Sequence, residues 1–247
     1  MPTSASHRRF NNGGNPGSPQ SGTGRACIHS SNVHGHFTLT ALKSKHGGAR
    51  NRADRTSDCL TEKQVHAIFA AVAKASAIGL PLNRHWTVHW GRTGVSDDLA
   101  AAATSALLTL VRDWLRKRGH RFACVWVREN DDGDGSKGSH VHILLHVPAE
   151  LKWCGWRNRR WLERVTDKRY VASTSRTRVI GRSRKAAETS PDSFQTNLAV
   201  VAGYVAKNAP TAVLRALDVI RRSESGLVIG KRWGRSEWLA SRLGRLQ

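Results

Sequence analysis

His140 and His142 stand two apart in the run Gly138-Ser139-His140-Val141-His142-Ile143-Leu144-Leu145-His146-Val147-Pro148. In an extended strand alternate side chains face opposite ways. His140, His142, Leu144 and His146 therefore share one face, and Val141, Ile143, Leu145 and Val147 form an unbroken apolar face on the other. A bare His-x-His pair also occurs as a surface feature or a satisfied core pair, so its partners decide its meaning. Glu129, which ends the preceding strand, is the best third ligand for a cation held by the two imidazoles. Two nitrogens and one carboxylate leave positions for water and phosphate, a mixed set that suits Mg²⁺ or Mn²⁺ in function. His146 lies about 13 Å beyond His142 by strand rise, too far to join the same ion, and is expected to pack or to contact nucleic acid. Tyr204 and Lys207 are three apart in Gly203-Tyr204-Val205-Ala206-Lys207-Asn208, so on a helix they share one side. A tyrosine oxygen is a workable nucleophile if the cost of its anion is lowered, its reference pKa being about 10. A divalent cation on a non-bridging phosphate oxygen polarises phosphorus and neutralises developing charge. Two histidines, a tyrosine and a lysine thus suggest transesterification of a nucleic-acid phosphodiester. The chain has only two tyrosines, and Tyr170 lies in a basic stretch without such a partner.

The bulk composition supports a polyanionic partner. Forty lysines and arginines against 18 acidic residues give a formal charge of +22 over 247 residues. Cations that displace condensed counterions bind nucleic acid strongly and salt-sensitively. No apolar run approaches the ~18 residues of a membrane span, and the polar N-terminus is not a signal peptide; a bacterial cytoplasm and no membrane partner are expected. Cys27, Cys59, Cys124 and Cys154 are scattered, which argues against a thiolate zinc site and a disulfide framework.

The elements that must position these residues follow in order. Residues 1–60 are rich in Ser, Gly, Asn, His and Arg, lack apolar periodicity, and are expected to be a disordered basic tail. Residues 61–247 form the folded domain. Thr61-Glu62-Lys63-Gln64 fits a capping box, opening a helix with Val65, Ile68, Phe69 and Val72 as its stripe. His85 to Trp90 reads as a strand with Trp86, Val88 and Trp90 on one face and His85, Thr87 and His89 on the other. A helix from Ser96 follows, acidic in its first turn, basic in its last, and stopped by Gly119. Phe122 to Glu129 is the next strand, with Phe122, Cys124 and Trp126 opposite Ala123, Val125, Val127 and Glu129. It pairs with the histidine strand through a Gly/Asp loop. Gly133 and Gly138 in that loop have phosphate-loop spacing, but no Lys-Ser/Thr follows, which excludes a nucleoside-triphosphate site. Residues 149–167 are expected to be helical. Residues 168–186 are a basic strand and turn whose Arg176, Arg178, Arg182 and Arg184 are candidate DNA contacts. Helices are expected over Pro191–Asn208 and Pro210–Ser223. The turn carrying Lys231 and Arg232, two further DNA-contact candidates, precedes a short final helix.

His140-Val141-His142 with the downstream Tyr204-Val205-Ala206-Lys207 resembles the HUH endonuclease superfamily, and within it the single-tyrosine initiators of rolling-circle plasmids and filamentous phages. Gly230-Lys231-Arg232-Trp233-Gly234 is similar to a motif near the end of such initiators, and the resemblance spans about residues 83–240. It implies an α+β fold, a central antiparallel ferredoxin-like sheet with helices packed on one face. It also implies metal held by His140 and His142, with Glu129 as the third ligand, Tyr204 as nucleophile and Lys207 as helper at the phosphate or metal. The product would be a 5′-phosphotyrosyl enzyme and a free 3′-hydroxyl. Single-stranded or hairpin origin DNA, a host helicase and a polymerase would be the partners. A second catalytic tyrosine is absent from 205–208. A single-strand transposase or relaxase would use the same residues. A non-catalytic basic nucleic-acid-binding protein and a metal-dependent hydrolase that leaves no adduct are the alternatives from other classes.

Overall fold

The computed structural model describes residues 54–131, 138–219 and 226–240. The chain runs β1 (Thr56–Ser57), α1 (Glu62–Ala77), β2 (Arg84–His89), α2 (Asp97–Arg116), β3 (Cys124–Asp131), β4 (Gly138–Leu145) and α3 (Gly155–Thr166). It continues with β5 (Ser175–Val179), α4 (Ala186–Thr189), α5 (Pro191–Val205), α6 (Thr211–Ala216), β6 (Val228–Ile229), β7 (Trp233–Arg235) and α7 (Glu237–Ala240). Five strands make one sheet in the order β5-β2-β4-β3-β7, with every neighbouring pair antiparallel. From β2 to β5 the order is β-α-β-β-α-β, the ferredoxin-like split βαβ arrangement. The expected α+β class with a central antiparallel sheet is therefore the class found.

Local chemistry explains where the elements start and stop. At α1 the Gln64 amide donates to Thr61 Oγ1 (3.3 Å) and the Thr61 amide to Gln64 Oε1 (2.9 Å), which completes the capping box. Helix α2 stops before Gly119, whose φ of 76° suits a residue without Cβ. Gly234 in β7 permits a close approach, because a Cβ there would lie 2.7 Å from the Trp126 indole.

Strand alternation divides the core in two. Trp86, Val88, Cys124, Trp126, Val141, Ile143 and Leu145 pack under α2 and α3. On the reverse face Val125, Val127 and Leu144 pack with apolar residues of α1, α5 and α7. Helices thus occupy both faces rather than one. The physical reason is that the histidine strand and its neighbours carry apolar residues beside their polar ones, and these also require cover.

Some expected boundaries move. Of the expected disordered tail, residues 1–53 lie outside the described residues. From residue 54 the expectation is corrected: Thr56 and Ser57 pair with Ile229 and Val228, and Leu60 is fully buried with its amide bonded to the Asn208 carbonyl. Helix α3 begins at Gly155, not near 149, and α5 ends at Val205, three residues early. Helix α6 ends at Ala216, residues 217–219 of its expected span are not helical, and residues 220–223 lie outside those described.

A buried charge pair ties the C-terminal segment to the sheet. Arg128, fully buried, pairs with Asp97 at the start of α2 and donates to the Ile229 carbonyl (2.8 Å). Asp97 also accepts from Ser139 Oγ (2.7 Å) and from the Ile229 amide. The Arg128 fork can satisfy several acceptors at once, so one guanidinium links α2, β3 and the turn before β7.

Candidate metal centre

Register assembles the site. Along β2, β4 and β3, His89, His140 and Glu129 lie directly opposite one another in one transverse row. Thr87, His142 and Val127 form the next row, and His85, Leu144 and Val125 the third. On the outer side, β5 sets Arg176 opposite Thr87 and Arg178 opposite His85. Directly opposed residues on one face bring their Cβ atoms within about 5 Å. The register alone therefore brings two imidazoles and one carboxylate together.

Candidate ligand atoms of Glu129, His140 and His142 all lie within 4.8 Å of one another, and all three residues are buried. His140 Nδ1 donates to the Gly138 carbonyl (2.9 Å), and its Nε2 lies 3.1 Å from Glu129 Oε2. His142 Nδ1 is bracketed by Thr87 Oγ1 (3.0 Å) and His85 Nε2 (3.2 Å). This orients the His142 ring with Nε2 towards Glu129. Outer contacts of this type fix tautomer and ring orientation in metal sites. His142 Nε2 and Glu129 Oε1 are buried and have no hydrogen-bond partner among the described residues. The group can hold a divalent metal ion.

Helix α5 supplies the rest. Its C-terminal turn brings the Tyr204 ring edge-on to His142, with centroids 5.2 Å apart, and to His85 at 5.8 Å. Tyr204 is 43% exposed, while Lys207, just past the helix end, is buried. The Lys207 ammonium pairs with Glu129 Oε2 and lies 4.8 Å from the centre of the Tyr204 ring. The pair therefore faces the site from one side, as the three-residue spacing predicts. A cavity of about 390 Å³ opens here, lined by His85, His140, His142, Arg176, Arg178 and Tyr204.

The electrostatics follow from burial. Burial pushes the Glu129 carboxyl up, but its contacts with His140 and His142 and the Lys207 charge outweigh this and hold it well below the ordinary range. Burial holds the His142 imidazole below its usual value. His85 is pushed down to about 3, by burial first and the neighbouring His142 second. Neutral imidazoles and an ionised carboxylate are the forms that bind metal. The Tyr204 phenol is raised, chiefly by burial and then by the Glu129 charge, against an opposing effect of Arg178.

The other expected site residues separate. Arg176 and Arg178 border the centre, whereas Arg184 lines a different cavity on the reverse face. Arg182 is exposed and lines neither of these two cavities. Lys231 is exposed in its turn. Arg232, expected to contact DNA, is corrected: it is 3% exposed and its guanidinium is engaged by Ser57 and Gly226. The reason is the β1–β6 pairing, which lays residue 57 against this turn. His146 packs, its Nδ1 2.8 Å from the Pro81 carbonyl.

Thr87, His85 and His89 were not foreseen as part of the centre. The signal was present in their alternation with Trp86, Val88 and Trp90, which sets them on the same polar type of face as His140 and His142.

Fold and site together define an α+β protein whose antiparallel ferredoxin-like sheet carries a Glu/His/His group able to hold a divalent ion. Compared with family models, curated proteins and solved structures, the chain matches none. Among the described residues no helix is long and apolar enough to cross a membrane.

Proposed function

We propose that the protein nicks one strand of DNA and transfers it through a covalent link to Tyr204, starting rolling-circle replication. One observation carries the reading: the half-exposed Tyr204 ring stands against His142 at the mouth of a buried Glu/His/His group. Arg176 and Arg178 line the same cavity and suit a phosphodiester backbone.

The phenol oxygen attacks phosphorus, the P–O3′ bond breaks, and a 5′-phosphotyrosine forms. The phenol gives up its proton and the departing 3′-oxygen gains one, so a free 3′-hydroxyl results and can prime a polymerase. Tyr204 by itself is a poor nucleophile, because burial and Glu129 favour its neutral form. A bound Mg²⁺ or Mn²⁺ would supply Lewis-acid polarisation of the phosphate and offset the Glu129 charge. Glu129, His140 and His142 would hold it. Lys207, beside both Glu129 and the phenol, is placed to balance charge on either one. Arg176 and Arg178 orient the strand.

The test is incubation with single-stranded and hairpin origin oligonucleotides and Mn²⁺, followed by denaturing electrophoresis. Protein-linked DNA is expected from the wild type, and none from Tyr204→Phe, which should still bind metal. An adduct that persists in Tyr204→Phe overturns the nucleophile. Cleavage with no adduct at any time favours hydrolysis, and salt-dependent binding without cleavage favours a non-catalytic role.

A further inference from the structure

The reverse face of the sheet holds a second cavity, of about 640 Å³, beside α3 and β5. This lies in the size range of small-ligand sites, roughly 300–1,000 Å³, and exceeds what a bare oxyanion needs. Strand β5 separates it from the metal centre: Arg176 and Arg178 line one cavity, and Ser175, Thr177 and Val179 line the other.

Three of its lining residues each carry one buried polar atom with no hydrogen-bond partner among the described residues. Arg84, on β2, is 2% exposed. Its Nη1 donates to the Asn83 carbonyl (2.8 Å), but Nη2 has no hydrogen-bond partner, and no carboxylate pairs with it among the described residues. Burial pulls this guanidinium down to about 10, with the Arg184 charge adding to the effect. Asn158, buried on α3, donates from Nδ2 to Thr177 Oγ1 (3.0 Å) and leaves Oδ1 an unused acceptor. Trp153 has a buried Nε1 with no acceptor among the described residues. Buried polar groups are nearly always satisfied, and a cluster of exceptions needs an explanation.

The missing partner can be described from what surrounds it. Lys152 and Arg184 are exposed cations on the cavity, and among the described residues no acidic one lines it. The charge therefore calls for an anion. Trp153 is braced by Trp86, Trp114 and Trp161, with ring centroids 5.4–5.8 Å away, and Tyr170 adds a second aromatic wall. Flat walls suit the face of a base. An amide acceptor beside an indole donor suits a base edge that offers one of each.

We propose that this cavity binds a nucleotide unit, its phosphate against Arg84, Arg184 and Lys152 and its base against Trp153 and Asn158. The proposal is independent of strand nicking and would hold for a purely DNA-binding protein. The same chemistry has two sources, a free mononucleotide or one nucleotide of a strand passing the β5 edge.

The experiment is calorimetric titration of the full chain, in chelator, with dAMP, dTMP, the matching nucleosides, inorganic phosphate and a short single-stranded oligonucleotide. A mononucleotide is expected to bind at least about tenfold more tightly than nucleoside or phosphate, since each lacks half the contacts. Arg184→Glu, at an exposed position, and Arg84→Met should each weaken binding by about tenfold or more. The same reversal at Arg112, exposed on α2, measures the non-specific effect of removing positive charge. If oligonucleotide affinity also falls beyond that control and dAMP competes with the strand, the source is DNA. If only mononucleotide binding responds, the source is the free nucleotide. Mononucleotide and oligonucleotide affinities that fall no further in Arg184→Glu than in Arg112→Glu overturn the site, even if Arg84→Met does not fold. Failure of dAMP, dTMP and oligonucleotide alike to saturate the wild type also overturns it. Loss of nicking through the Tyr204 chemistry would leave these titrations unchanged.

Discussion

Lys207 shows how one buried charge can depend on another. Its ammonium is the cation against Glu129 Oε2, in a place where burial makes a lone carboxylate costly. Removing one member of a buried pair typically costs about 3–5 kcal/mol, because the other charge is left uncompensated. Lys207→Met is therefore expected to unfold at a markedly lower temperature than wild type in chelator. Mn²⁺ should restore much of the loss, since a divalent ion takes over the neutralisation of Glu129. Thermal melts with and without Mn²⁺ check this. A variant as stable as wild type in chelator would mean that Lys207 is not the partner Glu129 depends on.

At the scale of the element, β5 is an edge strand whose alternation serves two cavities. Arg176 and Arg178 are exposed, so their replacement should leave the fold intact. The double change Arg176→Ala and Arg178→Ala is expected to weaken single-strand binding in chelator and to flatten its salt dependence. The slope of log K against log salt should shrink by about 0.7 for each phosphate that is no longer neutralised. Fluorescence anisotropy across a salt series measures this. An unchanged slope would show that the strand does not run along this edge. The same strand supplies Thr177 to Asn158 and Ser175 to Trp86 Nε1 (2.6 Å), so its inner face holds the reverse cavity in shape.

For the molecule as a whole, the buried imidazoles set the response to acid. His85, His142 and His146 are all lowered, each chiefly by burial. Between the unfolded value, about 6.5, and the lowered folded values, the unfolded chain binds more protons than the folded one. Stability is therefore full above about pH 6.5 and declines as pH falls below it, by up to about 1.4 kcal/mol per unit for each histidine. Glu129, also lowered, adds a loss in the same direction at still lower pH. Melting temperature in chelator should stay level down to about pH 6.5 and fall from there to pH 5. A flat profile would mean that these imidazoles are as easily protonated folded as unfolded.

Much of the centre was legible in the chain because the facts behind it are local. A strand period of two set His140 and His142 on one face and Glu129 opposite Trp126 and Cys124, and a helix period put Tyr204 and Lys207 on one side. Helix starts and stops, such as the Thr61 cap and Gly119, also depend on near neighbours. Other facts were not legible, because they depend on which distant segments meet. The reassignment of Arg232 follows from a strand at Thr56–Ser57 too short to show periodicity. The Arg128–Asp97 link joins residues 31 apart, and the unpartnered Arg84 has meaning only once Asn158 and Trp153 are seen beside it. The sequence alone determined which side chains share a face, since backbone geometry repeats every few residues. Tertiary structure decided which faces oppose each other, because strand register and helix docking are set by non-local packing that no short window contains.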